Sequence, residues 1–192
     1  MKMISKCLAA LALLSGPLAA HATHAALTAV TKDGDRMIND STLNVTWADV
    51  ASASDLFWSP TAEVGSAQAW VASLNAKNGG RGYGGHHDWR LATGDRDRAY
   101  SPVNPGNELG SLFFTELGNT ANQRVSNLGP FTSLLGNRTY WSGSECPASG
   151  PSAFVFEVFR GLQINHNQGR RFWALAVRSG QVSSAPGASG RS

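Results

Sequence analysis

The stretch from Tyr140 to Arg178 constrains the fold more than any other part of the chain. Short runs of aromatic and β-branched residues are separated there by Gly, Asn and Gln, a pattern typical of consecutive antiparallel strands joined by turns. The central run, Ala153–Phe159, places apolar side chains on both faces, so we expect a central strand that is covered on both sides. The polar link 165–169 then leads into a last strand-like run, 172–178.

Two segments upstream have the periodicity of amphipathic helices. Ser66 is a suitable N-cap for a helix that ends at Ala76, before Asn78-Gly79-Gly80. Asn107 can cap a second helix that ends before Gly118. The apolar stripes are Ala67, Trp70, Val71 and Leu74 in the first helix and Leu109, Leu112, Phe113 and Leu117 in the second. We expect an α+β fold in which both helices pack on a small antiparallel sheet with long loops.

The remaining segments are shorter strands and loops. Asp33-Gly34 indicates a turn between short β-like segments. Leu43, Val45 and Trp47 alternate with polar residues, which predicts a half-buried strand. Segment 92–106 is polar and proline-rich, and we expect an inserted surface loop there. Segment 118–138 is a long loop, and long loops in compact domains are more often functional than accidental.

The N-terminal residues predict export. Lys2 and Lys6 precede an apolar run, Cys7–Leu14, and small residues follow as far as Ala20, with possible cleavage sites after Ala22 and Ala25, which is the pattern of a secretory signal. Gly16-Pro17 ends the run well short of the ~20 residues that a membrane-spanning helix needs. We therefore expect a signal peptide at 1–25, one domain at 26–182 and a disordered tail at 183–192. The mature protein is expected to be secreted, periplasmic or on the cell surface, without a transmembrane segment.

The mature chain is nearly neutral and has one cysteine. Of the 16 Lys and Arg residues, two leave with the signal, which gives 16 − 2 = 14 against 13 Asp and Glu. This balance does not favour nucleic acid as a partner. Cys7 also leaves with the signal, so Cys146 remains without an internal disulfide partner. It is a buried thiol or an intermolecular bridge, and we expect the buried thiol.

An ordered set of short motifs resembles one known family. The motifs are Asp40-x-x-Leu43-x-x-x-Trp47, Trp70-x-x-x-Leu74-Asn75, Asp88-Trp89-Arg90-Leu91-Ala92-Thr93, Glu108-Leu109, Tyr140-Trp141-Ser142-x-Ser144-Glu145, Gly161-Leu162-Gln163 and Trp173-Ala174-x-Ala176-Val177-Arg178. Together they resemble the Lcl C-terminal domain family, whose members are bacterial exported proteins with a C-type-lectin-like domain. The resemblance implies a C-type-lectin-like fold and a role in surface or matrix adhesion through glycan binding.

Most of the charged and aromatic motif residues have a structural interpretation. Arg90 and Glu108 are expected to form a buried ion pair that ties a helix to a loop. Tryptophans in apolar runs are expected in the core, although such rings also stack on sugars. The residues interpreted as structural are Trp47, Trp70, Asp88, Trp89, Arg90, Glu108, Trp141, Trp173 and Arg178.

Metal binding and catalysis have weaker support in the sequence. His86-His87-Asp88 point apart in an extended loop and lack further ligands at zinc spacing. Asp33-x-Asp35 and Asp95-x-Asp97 offer oxygen ligands for calcium, but neither continues into a dedicated loop, so both are interpreted as turns. No motif places a Ser beside a base. We therefore expect no enzyme activity and no cofactor, with calcium as the alternative to keep in view.

Polar residues in the predicted loops are the candidates for ligand binding. Amide, carboxylate and guanidinium groups can each bridge two neighbouring sugar hydroxyls. The alternative is that these side chains are solvated hairpin ends. The candidates are Gln123, Arg124, Glu145, Asn165, His166, Asn167, Gln168, Arg170 and Arg171.

Three functional hypotheses follow from these patterns. The first is an exported, non-catalytic module that binds a polysaccharide, a glycoconjugate or an extracellular matrix polymer, in adhesion or biofilm. The second is a structural envelope or matrix domain that contacts another surface protein through the same loops. The third is an enzyme of lectin-like fold.

Overall fold

The computed structural model of this 192-residue chain describes residues 27–95, 107–146 and 150–183. Within these ranges the protein is an α+β structure, with two β-sheets and two short helices. The expected signal peptide at 1–25, most of the tail and most of loop 92–106 lie outside the described residues. Those boundaries stay predictions.

The described elements are mainly strands. The strands are β1 (Leu27–Lys32), β2 (Asp35–Asp40), β3 (Val45–Ala48), β4 (Arg90–Leu91), β5 (Thr139–Glu145), β6 (Ser152–Glu157), β7 (Leu162–Asn167), β8 (Trp173–Ala174) and β9 (Ala176–Ser179). The helices are α1 (Ala67–Ala76) and α2 (Glu108–Ser111), which continues as a π-helical segment, Leu112–Glu116. The five-stranded sheet has the order β1-β2-β3-β9-β4, and the four-stranded sheet has the order β7-β6-β5-β8. Neighbouring strands are antiparallel except β5 and β8, which are parallel.

The local turn and cap predictions are confirmed. Asp33-Gly34 joins β1 to β2 with both residues at positive φ, as a tight hairpin turn requires. Ser66 and Asn107 accept hydrogen bonds from backbone amides in the first turns of α1 and α2. Gly118 follows the second helix at φ +62°, a conformation that glycine adopts without steric cost.

Strand β3 differs from its prediction because all four of its residues are buried. Thr46 was expected on a solvent-facing side, but the chain beyond β9 covers it. Its hydroxyl donates to Asn39 Oδ1 at 2.9 Å or to the Gly180 carbonyl at 2.7 Å. A polar residue is therefore accommodated in the sheet because its hydroxyl has partners.

The final third of the chain contains three consecutive antiparallel strands, β5, β6 and β7, as predicted, but the third strand is not the predicted run 172–178. Residues 165–169 were predicted to form a polar loop between strands. Residues 162–167 instead form β7, which pairs with β6 over its whole length. This segment forms a strand because its backbone hydrogen-bonds to β6, and its polar side chains do not prevent that pairing. The last run divides after Ala174, so that β8 pairs with β5 while β9 lies between β3 and β4 in the other sheet.

Two apolar clusters replace the single helix-covered sheet that was predicted. Both sheets contribute to each cluster, and α1 belongs to the first while the second helix belongs to the other. Strand β6 is central and buried from 152 to 156, which confirms the expected double coverage. Val155 packs in the first cluster and Phe156 in the second. Phe159 was expected on the strand, but it lies in the following turn and is exposed.

The tryptophans account for much of the core. Trp47 and Trp141 are fully buried and Trp89 nearly so, whereas Trp70 and Trp173 are half-buried. Burial of such a side chain contributes on the order of 1.5–3 kcal/mol. Cys146 is also buried, as predicted.

The long segment 118–138 contains no described helix or strand, but buried polar groups hold it in place. The Asp49 carboxylate is fully buried. It accepts hydrogen bonds from the Thr132 amide at 3.0 Å, the Thr132 hydroxyl at 2.8 Å and the Ser133 amide at 2.9 Å. It also pairs with Arg36 at 2.8 Å. One carboxylate thus anchors the loop to the five-stranded sheet.

Replacing Asp49 with Asn should lower the free energy of unfolding by about 2–3 kcal/mol, since an NH2 group would face backbone donors and Arg36 would lose its partner. Urea unfolding followed by tryptophan fluorescence measures this change, and hydrogen exchange should accelerate around Thr132. The control Asp33→Asn makes the same chemical change at an exposed turn position that Asn tolerates, and should shift stability by less than about 0.5 kcal/mol. Equal stability of the two variants would contradict the anchoring role.

Candidate functional site

An open cleft of about 480 Å³ lies where β4 of one sheet meets β5 of the other. Its volume falls within the range of small-molecule binding sites. Four segments that are distant in sequence build its walls: the loop around Trp58, helix α1, the residues from Trp89 to Thr93, and the end of β5.

The floor of the cleft forms because the two sheets approach closely at a glycine. The Gly143 amide donates to the Ala92 carbonyl at 2.8 Å. A Cβ atom at position 143 would lie 3.3 Å from Leu91 Cβ, so a side chain there would crowd the contact. Trp58 and Trp89 are almost fully buried beneath the cleft. They supply apolar support rather than open stacking faces.

A bidentate ion pair fixes one wall of the cleft. Arg90 Nη1 and Nη2 donate to Glu108 Oε2 and Oε1 at 2.7 and 2.6 Å. Glu108 Oε2 also accepts from the Thr93 amide at 2.7 Å and lies 3.1 Å from the Thr93 hydroxyl. The predicted pair that ties a helix to a loop is confirmed, although 39% of the Arg90 side chain stays exposed to the cleft.

The pair remains charged over the ordinary pH range. Burial opposes ionisation of Glu108, but hydrogen bonds from Arg90 and Thr93 outweigh it and lower the pKa of the carboxyl below its usual value of 4.5. The hydrogen bond to Glu108 raises the pKa of Arg90 in turn. The two charges therefore largely cancel within the wall.

Glu145 is the predicted ligand-binding residue that the structure places in the cleft lining. It is exposed at the end of β5, and its Oε1 accepts from Gln168 Nε2 at 3.2 Å. The Gln168 carbonyl accepts from the Trp58 amide at 2.9 Å. The turn after β7 is thus held against the rim, and two of the candidates meet there.

Arg170 and Arg171 follow in the same turn and are exposed. Arg171 donates from Nη1 to the Asp55 carbonyl at 2.7 Å and lies 5.5 Å above the Phe57 ring centroid. Part of its hydrogen-bonding capacity is therefore used inside the protein. Neither arginine lines the cleft.

Asn165, His166 and Asn167 belong to strand β7, and the prediction that they are loop residues is wrong. The His166 ring lies 5.0 Å from that of Phe172. Burial, together with the nearby Arg170 charge, lowers the pKa of His166. These three side chains are not part of the cleft lining.

Gln123 and Arg124 lie in the long loop, away from the cleft. Both are exposed, and Arg124 lines a separate groove of about 330 Å³ with Val125, Leu128 and Phe159. The nine candidates therefore do not form one site.

The remaining charged motif residues have structural roles. Asp88 and Arg178 form a bidentate surface pair at 2.8 and 3.1 Å, and the hydrogen bond from Arg178 lowers the pKa of Asp88. Asp35 is buried, pairs with Lys77 and accepts from the Gly84 amide at 2.9 Å.

Little in the described ranges resembles a metal centre. Asp33 is an exposed turn residue next to the structurally engaged Asp35, and Asp97 lies outside the described residues. Within those ranges, no cluster of three or more His, Cys, Asp or Glu side chains is placed to hold a metal ion. The described residues therefore give no specific support to the calcium alternative.

Sequence reasoning missed the role of Gln163, which is almost fully buried. Its Oε1 accepts from the Asp95 amide at 2.8 Å and from Asn107 Nδ2 at 3.0 Å, while its Nε2 donates to the Asp95 carbonyl at 2.9 Å. One side-chain amide thereby joins both ends of the inserted segment. Gln68 and Thr93 in the cleft were also missed as binding candidates, although Thr93 ends the motif that begins at Asp88.

Comparison with known proteins does not assign this chain to a group. The sequence matches no protein-family model, and no curated protein is significantly similar to it. Within the described residues, no helix combines the length and the apolar character needed to span a membrane. The chemistry of the cleft residues is thus the basis for inferring a function.

Replacing Glu108 with Gln should lower the free energy of unfolding by about 1–2 kcal/mol, a value reduced for the partial exposure of Arg90. Because the folded-state pKa of Glu108 is depressed, its contribution is present above the unfolded pKa and is lost as pH falls below about 4.5. Melting temperatures measured from about pH 6 to pH 3 should therefore decline less steeply in the variant. Glu63→Gln, at an exposed position, is the control, and parallel curves for Glu108→Gln and the unmodified protein would exclude this linkage.

Proposed function

We propose that the protein is an exported, non-catalytic module that binds a glycan or an extracellular matrix polymer in adhesion or biofilm. The observation that carries the proposal is the open cleft, where amide, guanidinium, hydroxyl and carboxylate groups surround an apolar floor. These groups belong to Gln68, Arg90, Thr93 and Glu145. Convergent polar groups over an apolar surface suit a ring that has hydroxyls at its edge and C–H bonds on its face.

A C-type-lectin-like fold is part of the same proposal. The residues that carry the resemblance to the Lcl family are mainly fold-determining in this protein. Trp47 and Trp141 are fully buried, and both Arg90 and Arg178 form bidentate carboxylate pairs. Such interactions fix the relative positions of segments, so a chain that has them in the same order is expected to share the architecture.

The state of the acids in the cleft supports binding over hydrolysis. A glycosidase usually needs two carboxyl groups, one of which acts as an acid or base with a suitable pKa. Glu108 is held by Arg90 and has a lowered pKa, which makes it a weak base toward the neighbouring Thr93 hydroxyl. Among the described residues that line the cleft itself, Glu145 is the one carboxylate.

Contact with another surface protein is the second candidate. It is favoured by Phe159, a large apolar side chain that is 44% exposed beside the groove lined by Arg124 and Leu128. Phe159→Ser removes that apolar surface without touching the cleft. Loss of attachment to a biofilm matrix in this variant, with glycan binding intact, would favour the protein-contact role.

Filling the cleft should weaken glycan binding. Thr93→Tyr adds a ring to an exposed residue in the cleft lining, and affinity for the best ligand from a glycan array should fall at least about tenfold. The control Thr28→Tyr makes the same change at an exposed position of edge strand β1. Calorimetry with and without EDTA measures the affinity and shows whether calcium contributes.

The array itself tests the proposal directly. Binding by the unmodified protein and by Thr28→Tyr, but not by Thr93→Tyr, supports recognition in the cleft. Failure to bind any saccharide would refute the glycan-binding function. Equal binding by both variants would place the site elsewhere on the protein.

A further inference from the structure

Two charged side chains line the cleft, Arg90 and Glu145, and among the described residues only Arg90 has an ion-pair partner. Arg90 is neutralised by Glu108 through two short hydrogen bonds, and the pKa shifts of both groups favour their charged forms. Glu145 instead accepts a hydrogen bond from Gln168, which is neutral. It takes part in none of the ion pairs found among the described residues. Within the described part of the chain, the lining therefore presents one carboxylate that no ion pair neutralises.

The space in front of Glu145 is open. Along the end of β5, the buried residues Ser142 and Ser144 alternate with the exposed residues Gly143 and Glu145. Gly143 and Glu145 both line the cleft, so the adjacent lining position along β5 carries no side chain. A ligand group can therefore approach the carboxylate from the cleft without meeting a side chain at position 143.

We propose that the cleft binds a sugar with a free, protonated amino group, which donates to the Glu145 carboxylate. This inference rests on the proposed glycan-binding function and specifies the chemical class of the ligand. Ring hydroxyls of the same sugar would face Gln68, Arg90 and Thr93, which line the same cleft. An acidic sugar would place a second negative charge near Glu145, which is unfavourable.

The polar lining favours an amino sugar over a lysine side chain. A lysine amine stands on an apolar stem that offers no hydroxyls, so Gln68 and Thr93 would lose water without gaining partners. An amino sugar carries its charge and its hydroxyls on one rigid ring. The amine and the hydroxyls of such a sugar can then contact the polar side chains of the cleft at the same time.

The test uses oligosaccharides of hexosamine in several linkages, each in a free-amine form and an N-acetylated form. Acetylation removes the charge and keeps the ring, so each pair isolates the contribution of the amine. The free-amine form should bind about three- to fivefold more tightly at low salt, the range for a solvent-exposed ion pair. Raising the salt concentration should reduce the preference.

Glu145→Gln should remove the preference for the amine, so that the free-amine and N-acetylated forms bind the variant with equal affinity. The side chain is exposed, so the variant is expected to fold as the unmodified protein does. Asp33→Asn removes one negative charge from an exposed turn that lies outside the cleft lining, and it should keep the full preference. This control separates a local contact from an effect of net charge.

The outcomes distinguish the inference from the function on which it rests. Equal affinity for the two forms, or a preference that survives Glu145→Gln, overturns the amine assignment while glycan binding stands. An oligolysine peptide that binds as tightly as the best amino sugar, and depends on Glu145, overturns the sugar in favour of a basic peptide. Failure of every oligosaccharide to bind overturns both proposals.

Discussion

The structure depends on the way in which one short stretch of chain hydrogen-bonds to both sheets. Strand β8 pairs with β5 in the four-stranded sheet, and β9 lies between β3 and β4 in the five-stranded sheet. Leu175, between them, is buried, and its carbonyl accepts from the Ala92 amide at 3.4 Å. Because a single residue separates the two strands, the sheets cannot shift relative to each other without loss of backbone hydrogen bonds.

The cleft is a consequence of that junction. Strand β4 pairs with β9, and the chain after it reaches β5 through the contact between Ala92 and Gly143. Helix α1 forms part of the wall. The Arg90–Glu108 pair then fixes the second helix to the same place. The protein thereby sets polar side chains from separate segments around one apolar floor, and rigid supporting elements favour precise recognition.

The parts of this arrangement that sequence could predict are local or belong to recognisable motifs. The caps Ser66 and Asn107 follow from side-chain chemistry within one turn. The ion pair between Arg90 and Glu108 could be predicted because both charged residues belong to motifs whose other residues are mainly apolar and buried. Strand β7 could not be recognised, because its polar residues, such as Asn165 and Asn167, read as a turn, whereas its backbone pairing with β6 is set by tertiary structure.

The candidate site was harder to predict for the same reason. The candidates for ligand binding were chosen because they are polar residues in predicted loops. Residue type alone does not show which of them lie close together in the folded protein. Glu145 and Gln168 meet at the cleft, whereas Arg124 lies beside a different groove. Gln68 and Thr93 were overlooked because their importance arises from what β4, β5 and α1 bring together.

The buried amide of Gln163 has a further consequence for how this protein can vary. The two ends of the segment between Asp95 and Asn107 bind the same side chain, so the gap that the intervening chain must bridge is fixed by the core. Lengthening a closed loop is inexpensive, at roughly 0.6 kcal/mol for each doubling. The scaffold thus provides an attachment point next to the cleft, at which evolution or an engineer can exchange one peptide for another and leave the supporting framework intact.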